Sequence, residues 1–407
     1  MKVLHYIPLL DKARDYLGEL ADNAGGVSEH AVYISTLWAE RTYQSSGRFV
    51  IYQMLKKPHR YVNLIHLQNR FLQILYATMP DIVHIHGCWS YVTAKICLWA
   101  KKRNFKVVVS PHGQLGEKVI EDHFWSKRLP SILLYQRRAI KRADALWAGS
   151  EQEVKDLKRL GWNKRIGLQN KDRDDMPVQA SRYAFYQKVA DTAYYSDMHE
   201  HEKTAFCALL HAGLADAGEP HLLDGNVILN LRSLPVASWR RIFLLAQDQH
   251  VNDILVAGIG RMQLSTPRID AQSIPRFPRR RELSDASLSD AEFINSSKRK
   301  RRLMNKITDN DQCRLYVMLE NIRQLLKSKR LSTLQLADYY TQVRHAQLDE
   351  LQLQQVFHNV GIYPFAGRMH QILHECLYLE YGFMPVPPCD DRKTERIRKR
   401  IHQLYHD

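Results

Sequence analysis

The sequence predicts an α/β fold, a parallel sheet over the N-terminal half followed by a mainly α-helical region, and three observations carry that prediction. Residues 81–113 hold a short apolar strand, an amphipathic segment and a second apolar strand in succession. Further strand-like runs flank this unit on both sides. From about residue 180 onward the apolar residues recur at helical spacing instead.

In the central unit, Ile82, Val83 and Ile85 form one strand and Val107, Val108 and Val109 another, the pattern of strands buried on both faces of a parallel sheet. Between them Tyr91, Val92, Ile96, Leu98 and Trp99 fall near helical spacing, and Lys101-Lys102-Arg103 suits a helix C-terminus. A right-handed crossover puts both strand C-termini on one sheet edge, where open α/β sheets bind ligands. His86 and His112 belong to that edge. Alternation along the strand reads His84 as packing rather than as a site residue.

Taken in order, the chain opens with a strand over Lys2–Ile7 and a loop to Asn23. Ala24-Gly25-Gly26-Val27-Ser28 then leads into a predicted helix through Ala31, Ile34, Leu37 and Trp38. The glycine pair either brings backbone amides to an anionic ligand at a helix N-terminus or simply makes a tight turn. Phe49–Met54 reads as a strand and Tyr61–Tyr76 as a helix. A helix around Leu129–Ile140 carries the basic cluster Arg137, Arg138, Lys141 and Arg142. Ala143–Ser150 reads as a strand ending in Gly-Ser, and the next helix has Ser150 at its N-cap, Glu153 at the capping-box position and Gly161 at its C-cap. Capping alone explains Ser150. Ile166–Asn170 closes the sheet.

Beyond it the pattern predicts helices over 183–195, 200–214, 239–249, 312–327, 333–358, 369–381 and 392–405. Residues 263–307 read as a linker, with three prolines, Arg279-Arg280-Arg281 and Lys298-Arg299-Lys300-Arg301-Arg302. The expected organisation is therefore 1–178, 179–262, 263–307 and 308–407.

The 407 residues carry 59 Lys+Arg against 43 Asp+Glu, a net charge of +16 that favours anionic partners such as nucleotides, lipid phosphates or nucleic acid. Nucleic acid is disfavoured, because the basic runs lack interleaved aromatics and any nucleic-acid fold signature. The six cysteines form no CxxC and no metal-ligand spacing, which fits a reduced, cytoplasmic setting and no metal. No apolar run of about 18 residues is present, so membrane attachment would be peripheral, at the inner face.

The ordered set MKVLHYIP, AGGVSEH, DIVHIHG, VVVSPHGQLG, ADALWAGSEQEVKDLKRLGW and IGLQN resembles the N-terminal half of glycosyltransferase family 4-like proteins of the two-Rossmann-domain GT-B class. The resemblance covers residues 1 to about 175. It implies a Rossmann-like domain and transfer of a sugar from a nucleotide-sugar donor to a polysaccharide or glycolipid acceptor, with no metal or other cofactor. By the same resemblance Gly25 and Gly26 face donor phosphates and acceptor, and His112 and Gly113 of SPHG lie beside the transferred sugar. His112 is otherwise a hydrogen-bonding loop residue. Ser150 and Glu151 match the family's Ser-Glu, and Asn170 the Asn of a Pro-Asn-Gly turn whose Pro and Gly are missing here. In the second half only echoes of the family's donor domain remain. Ile254–Arg261 is similar to its opening strand, and residues 363–385 to its acidic-pair segment, with Glu375 at the second acid and Gly367 at the first. Two functional classes follow: a transferase with a divergent donor half, or a non-catalytic binding or scaffold protein that works with a protein partner of polysaccharide biosynthesis.

Overall fold

The computed structural model describes residues 1–9, 31–38, 49–55, 63–169, 178–216, 225–279, 281–288, 307 and 309–406. They divide into two compact units, one of 1–196 with 275–278, the other of 197–274 with 279–407.

The first unit is a seven-stranded parallel sheet: β1 (Lys2–Leu9), β2 (Ala31–Trp38), β3 (Phe49–Gln53), β4 (Ile82–His86), β5 (Lys106–Ser110), β6 (Ala145–Ala148) and β7 (Ile166–Leu168). Its order, β3-β2-β1-β4-β5-β6-β7, is Rossmann-like, with the chain reversing direction across the sheet between β1 and β4. All six strand pairs are parallel.

One face of the sheet carries α1 (Leu64–Thr78), α2 (Tyr91–Lys102), the short α3 (Glu117–Glu121), α4 (Arg137–Arg142) and α5 (Glu151–Leu160). Leu67, Phe71, Ile96, Ala100, Ile140 and Leu157 from these helices and connections pack on Leu4, Val83, Ile85, Val107 and Leu146. The opposite face meets α6 (Val178–Thr192), where Phe185, Tyr186 and Val189 pack on Val3, Ile82, Val108 and Trp147. The expected break at 178 therefore falls where α6 begins. Gly167 of β7 has no room for a side chain, since a Cβ there would lie 2.2 Å from the Phe185 ring.

The second expected element is corrected: Ala31–Trp38 is a strand, not a helix. Ala31, Ile34, Leu37 and Trp38 fit a helical stripe. The segment is also rich in β-branched and aromatic residues, and pairing with β1 on one side and β3 on the other takes up backbone groups on both of its edges.

The second unit is helical, and no strand occurs among its described residues. Its helices are α7 (Glu200–Leu214), α8 (Gly225–Ser233), α9 (Val236–Asp248), α10 (Asn252–Arg261), α11 (Asn310–Ser328), α12 (Thr333–His345), α13 (Glu350–Val360), α14 (Tyr363–Leu377) and α15 (Arg392–His406). The expected single helix over 333–358 is two, because Ala346 ends α12 and Asp349 caps α13 by accepting the Gln352 amide at 3.1 Å. Ile254–Arg261 is also corrected, from the opening strand of a donor domain to helix α10. Its Gly258 lets α10 pass against α7: a Cβ there would lie 2.0 Å from the Leu209 carbonyl oxygen, and one on Gly213 would lie 2.0 Å from that of Ile254. Among the described residues of 263–288 there is neither helix nor strand.

Candidate functional site

Three connections meet at the C-terminal edge of β4, β5 and β6, and their backbones are forced there by short polar turns. Gly87 (φ +84°), Trp89 (φ +66°), His112 (φ +52°) and Gly113 (φ +74°) all adopt the left-handed region. The Gly87 amide donates to the Ser110 carbonyl at 2.8 Å, tying the first turn to the second strand. Gln114 closes both turns together, its side chain accepting the Cys88 amide at 2.6 Å and its carbonyl accepting Trp89 Nε1–H at 2.7 Å.

The third connection is joined by Glu153. Its Oε1 accepts the Gly113 amide at 2.7 Å, and its Oε2 the Gly149 amide at 2.8 Å. Ser150 Oγ accepts the Glu153 amide at 3.2 Å, so Ser150 is the N-cap of α5 that the sequence predicts. Glu153 sits at the capping-box position, yet its carboxylate reaches past the cap to bridge two turns 36 residues apart. Sequence reasoning placed Glu151 at the site and missed Glu153; only the capping-box spacing pointed to it. His112, Gly113, Gly149, Ser150 and Glu151 are exposed along this edge, while Glu153 is buried beneath them. Gly25, Gly26 and Asn170 lie outside the described residues.

Behind the edge lies a row of histidines. His5 of β1 is the register partner of His84, and His86 follows on the same face of β4. His84 is packed, as the alternation reads it: it is fully buried, and its ring stacks on that of His86 with centroids 4.4 Å apart. His5 Nδ1 lies 3.0 Å from His86 Nε2, and His86 Nδ1 lies 2.9 Å from His112 Nε2. His84 is held by the Tyr186 hydroxyl at 2.5 Å and Ser110 Oγ at 2.6 Å.

Burial drives these imidazoles neutral. It pushes His5 down to about 3, with help from the Arg182 charge, and holds His84 and His86 well below the ordinary imidazole range, the neighbouring rings adding to the effect. A neutral ring has one N–H, so with all three rings neutral the row has two consistent states. In one, His5 donates to His86 and His86 to His112, leaving His112 protonated on Nδ1. In the other both bonds reverse, and His112 Nδ1 carries a lone pair. The buried pair therefore sets whether exposed His112 offers a ligand a donor or an acceptor.

His5, His84 and His86 also present three ring nitrogens within 4.8 Å of one another, the one metal-capable group among the described residues. His5 Nδ1 and both nitrogens of His84 and His86 already serve the hydrogen bonds above, and Arg182 opposes a further cation. A cavity of about 350 Å³ opens beside the edge, lined by Leu115, Glu117, Ile120, Phe124, Asp156 and Arg159.

Glycine turns, a histidine and a capped helix N-terminus thus line one C-terminal edge of the parallel Rossmann-like sheet. Residues 29–166 match the family model described as the glycosyl transferase 4-like domain. No curated protein sequence matches the chain. Among solved structures it is similar to sucrose-phosphate synthase from Thermosynechococcus elongatus (14% identity, 68% of this chain and 72% of that one, TM-score 0.34). It is also similar to UDP-GlcNAc 2-epimerase from Methanocaldococcus jannaschii (12% identity, 68% and 76%, TM-score 0.29). A third is a candidate UDP-N-acetylglucosamine 2-epimerase from Listeria monocytogenes (12% identity, 57% and 65%, TM-score 0.29), less than two thirds of whose length is spanned. Likeness at these scores carries no argument about activity.

In the second unit the two positions similar to an acidic pair do not form one. Glu375 Oε2 accepts Arg398 Nε–H at 2.8 Å. Gly367 packs so tightly that a Cβ would lie 2.7 Å from the Pro387 carbonyl, which leaves no place for a glutamate.

Proposed function

We propose that the chain is a glycosyltransferase-like enzyme that uses a nucleotide-sugar donor and a polysaccharide or lipid-linked glycan acceptor. The observation that carries this reading is the joined edge of β4, β5 and β6, where Glu153 holds the SPHG and GSE turns together and the histidine row ends on exposed His112. In this reading catalysis is largely electrostatic. Amides of the turns and the N-terminus of α5 receive the negative charge of the donor, and His112 hydrogen-bonds the transferred sugar in whichever tautomer the buried pair fixes. Ser150 and Glu151 flank the same edge, and in this reading Gly25 and Gly26 offer backbone amides to the donor.

A second reading, a non-catalytic member working with a protein partner, is favoured by the fate of Glu375 and Gly367 in the second unit. Release of nucleoside diphosphate from a panel of UDP-, GDP- and ADP-sugars separates the two. Turnover that falls at least ten-fold in His112→Ala supports the transferase. Binding of a nucleotide sugar without turnover, in the presence of glycan and lipid acceptors, supports the second reading.

A further inference from the structure

We propose that the helical unit carries a binding site for a small ligand with two or more clustered phosphate groups, in the cavity where α11, α14 and α15 converge. The cavity measures about 420 Å³, the size of a small-molecule site. Five cations line it: Arg323 of α11, Arg368 of α14, and Lys393, Arg396 and Arg400 of α15. No Asp or Glu is among the described residues of its wall. Pro364, Phe365 and Ile397 supply an apolar part of that wall, suited to the carbon skeleton of a phosphorylated compound.

Basic residues on a helix commonly just face water, and two features set this group apart. The first is convergence. Lys393, Arg396 and Arg400 follow one another at i, i+3 and i+7 on one face of α15, and two other helices each bring a guanidinium to the same cavity. Arg368 is fixed in place, its Nε–H and Nη2–H donating to the Asp391 carboxylate at 3.1 and 2.7 Å. Arg323 lies 3.3 Å from the Glu320 carboxylate, with its guanidinium 5.8 Å from the centre of the Phe365 ring. The second feature is imbalance. Glu320 and Asp391 compensate these two arginines, whereas Lys393, Arg396 and Arg400 form no ion pair among the described residues. Like charges gathered this closely repel one another, and an anion of more than one charge relieves that repulsion while its oxygens engage the guanidinium forks. α14 also begins at this cavity with no side-chain cap on its N-terminus, so the positive end of its dipole adds to the attraction. Cations drawn from three helices around a bounded cavity select a compact ligand over a long polyanion, which an open basic ridge would suit.

The test is calorimetry of the full chain with inorganic pyrophosphate, with orthophosphate and sulfate as comparisons, joined to amide hydrogen exchange. Pyrophosphate is expected to bind about ten-fold more tightly than either comparison ion, to weaken with salt, and to slow exchange at residues 361–368 and 392–400. Arg396→Gln/Arg400→Gln should lower its affinity by about ten-fold or more, since one charged hydrogen bond is worth that much. Both arginines are exposed and their removal relieves repulsion, so the variant should melt no lower than wild type without ligand, which separates a lost site from a lost fold. Four outcomes overturn the proposal: no binding of pyrophosphate, an affinity no greater than that for sulfate, an affinity unchanged in the variant, or protection confined to the first unit. Duplex DNA or phosphatidylglycerol vesicles held more tightly than pyrophosphate through the same arginines would also overturn it, by making this face a macromolecular surface.

Discussion

Removing the Glu153 carboxylate should uncouple the two turns that form the candidate site. The carboxylate accepts the Gly113 amide at 2.7 Å and the Gly149 amide at 2.8 Å. Hydrogen bonds to a charged group contribute roughly 1.5–3 kcal/mol each. Both glycines are exposed, so water replaces part of what is lost, and the lower end of that range applies. The negative charge in the first turn of α5 adds about 0.5 kcal/mol. Glu153→Ala should therefore destabilise the first unit by about 3.5 kcal/mol. Glu153→Gln keeps the volume and one acceptor oxygen but turns an NH2 group toward the other amide, so about half that loss is expected. The assay is amide hydrogen exchange over residues 110–116 and 148–153, alongside urea unfolding followed by tryptophan emission. Protection of both glycine amides should fall in the order wild type, Gln, Ala. An alanine variant with unchanged protection and stability within about 0.5 kcal/mol of wild type would refute the bridging role.

Further predictions follow from the packing and the buried histidines. Gly258→Ala should cost about 1–3 kcal/mol by driving α10 away from the Leu209 carbonyl. Gly260→Ala, whose Cβ meets nothing within 4 Å, should be neutral or stabilising by up to about 1 kcal/mol; equal urea midpoints for the two variants would contradict the close crossing. His370 is buried between the Tyr339 hydroxyl and the Val386 carbonyl, and burial lowers it to about 4, the carbonyl bond partly opposing. Because the unfolded imidazole titrates near 6.5, the unfolded chain binds the extra proton between about pH 4 and 6.5. Stability from this group is full above that window and declines as pH falls through it, by about 3 kcal/mol in all. His370→Gln should flatten the stability profile of the second unit by that amount, and parallel profiles would contradict it. Breaking the histidine row with His86→Phe should weaken nucleotide-sugar binding about ten-fold, as His112→Ala does, with the double variant no worse than either; additive losses by calorimetry would show that the two rings act separately.

Much of the first unit is legible in the sequence because its strands are local apolar runs closed by turn residues. The β4-α2-β5 unit, the cap at Ser150 and the left-handed Gly161 all follow from spacing. What escapes is of two kinds. Short windows fit two periods at once: Ala31–Trp38 fits a helical stripe until its two strand neighbours are known, and Ile254–Arg261 fits a strand until Gly258 is seen packed on α7. Contacts between distant residues leave no local trace, and Glu153 meets Gly113 across 40 residues just as His5 meets His86 across 81. For His84 the alternation reads packing, and only the neighbouring strand and α6 supply its partners.

The central claim is that the edge of β4, β5 and β6 holds a nucleotide sugar. The measurement that tests it most directly is thermal stability of the purified chain against UDP, GDP, ADP and their sugars, because a ligand at about 100 times its dissociation constant stabilises the native state by roughly 2.7 kcal/mol. A shift with the sugars of one nucleotide class that falls by about half, to roughly 1.4 kcal/mol of stabilisation, in His112→Ala is the predicted result. Absence of a shift with every nucleotide and nucleotide sugar, or a shift that His112→Ala leaves intact, would contradict the account.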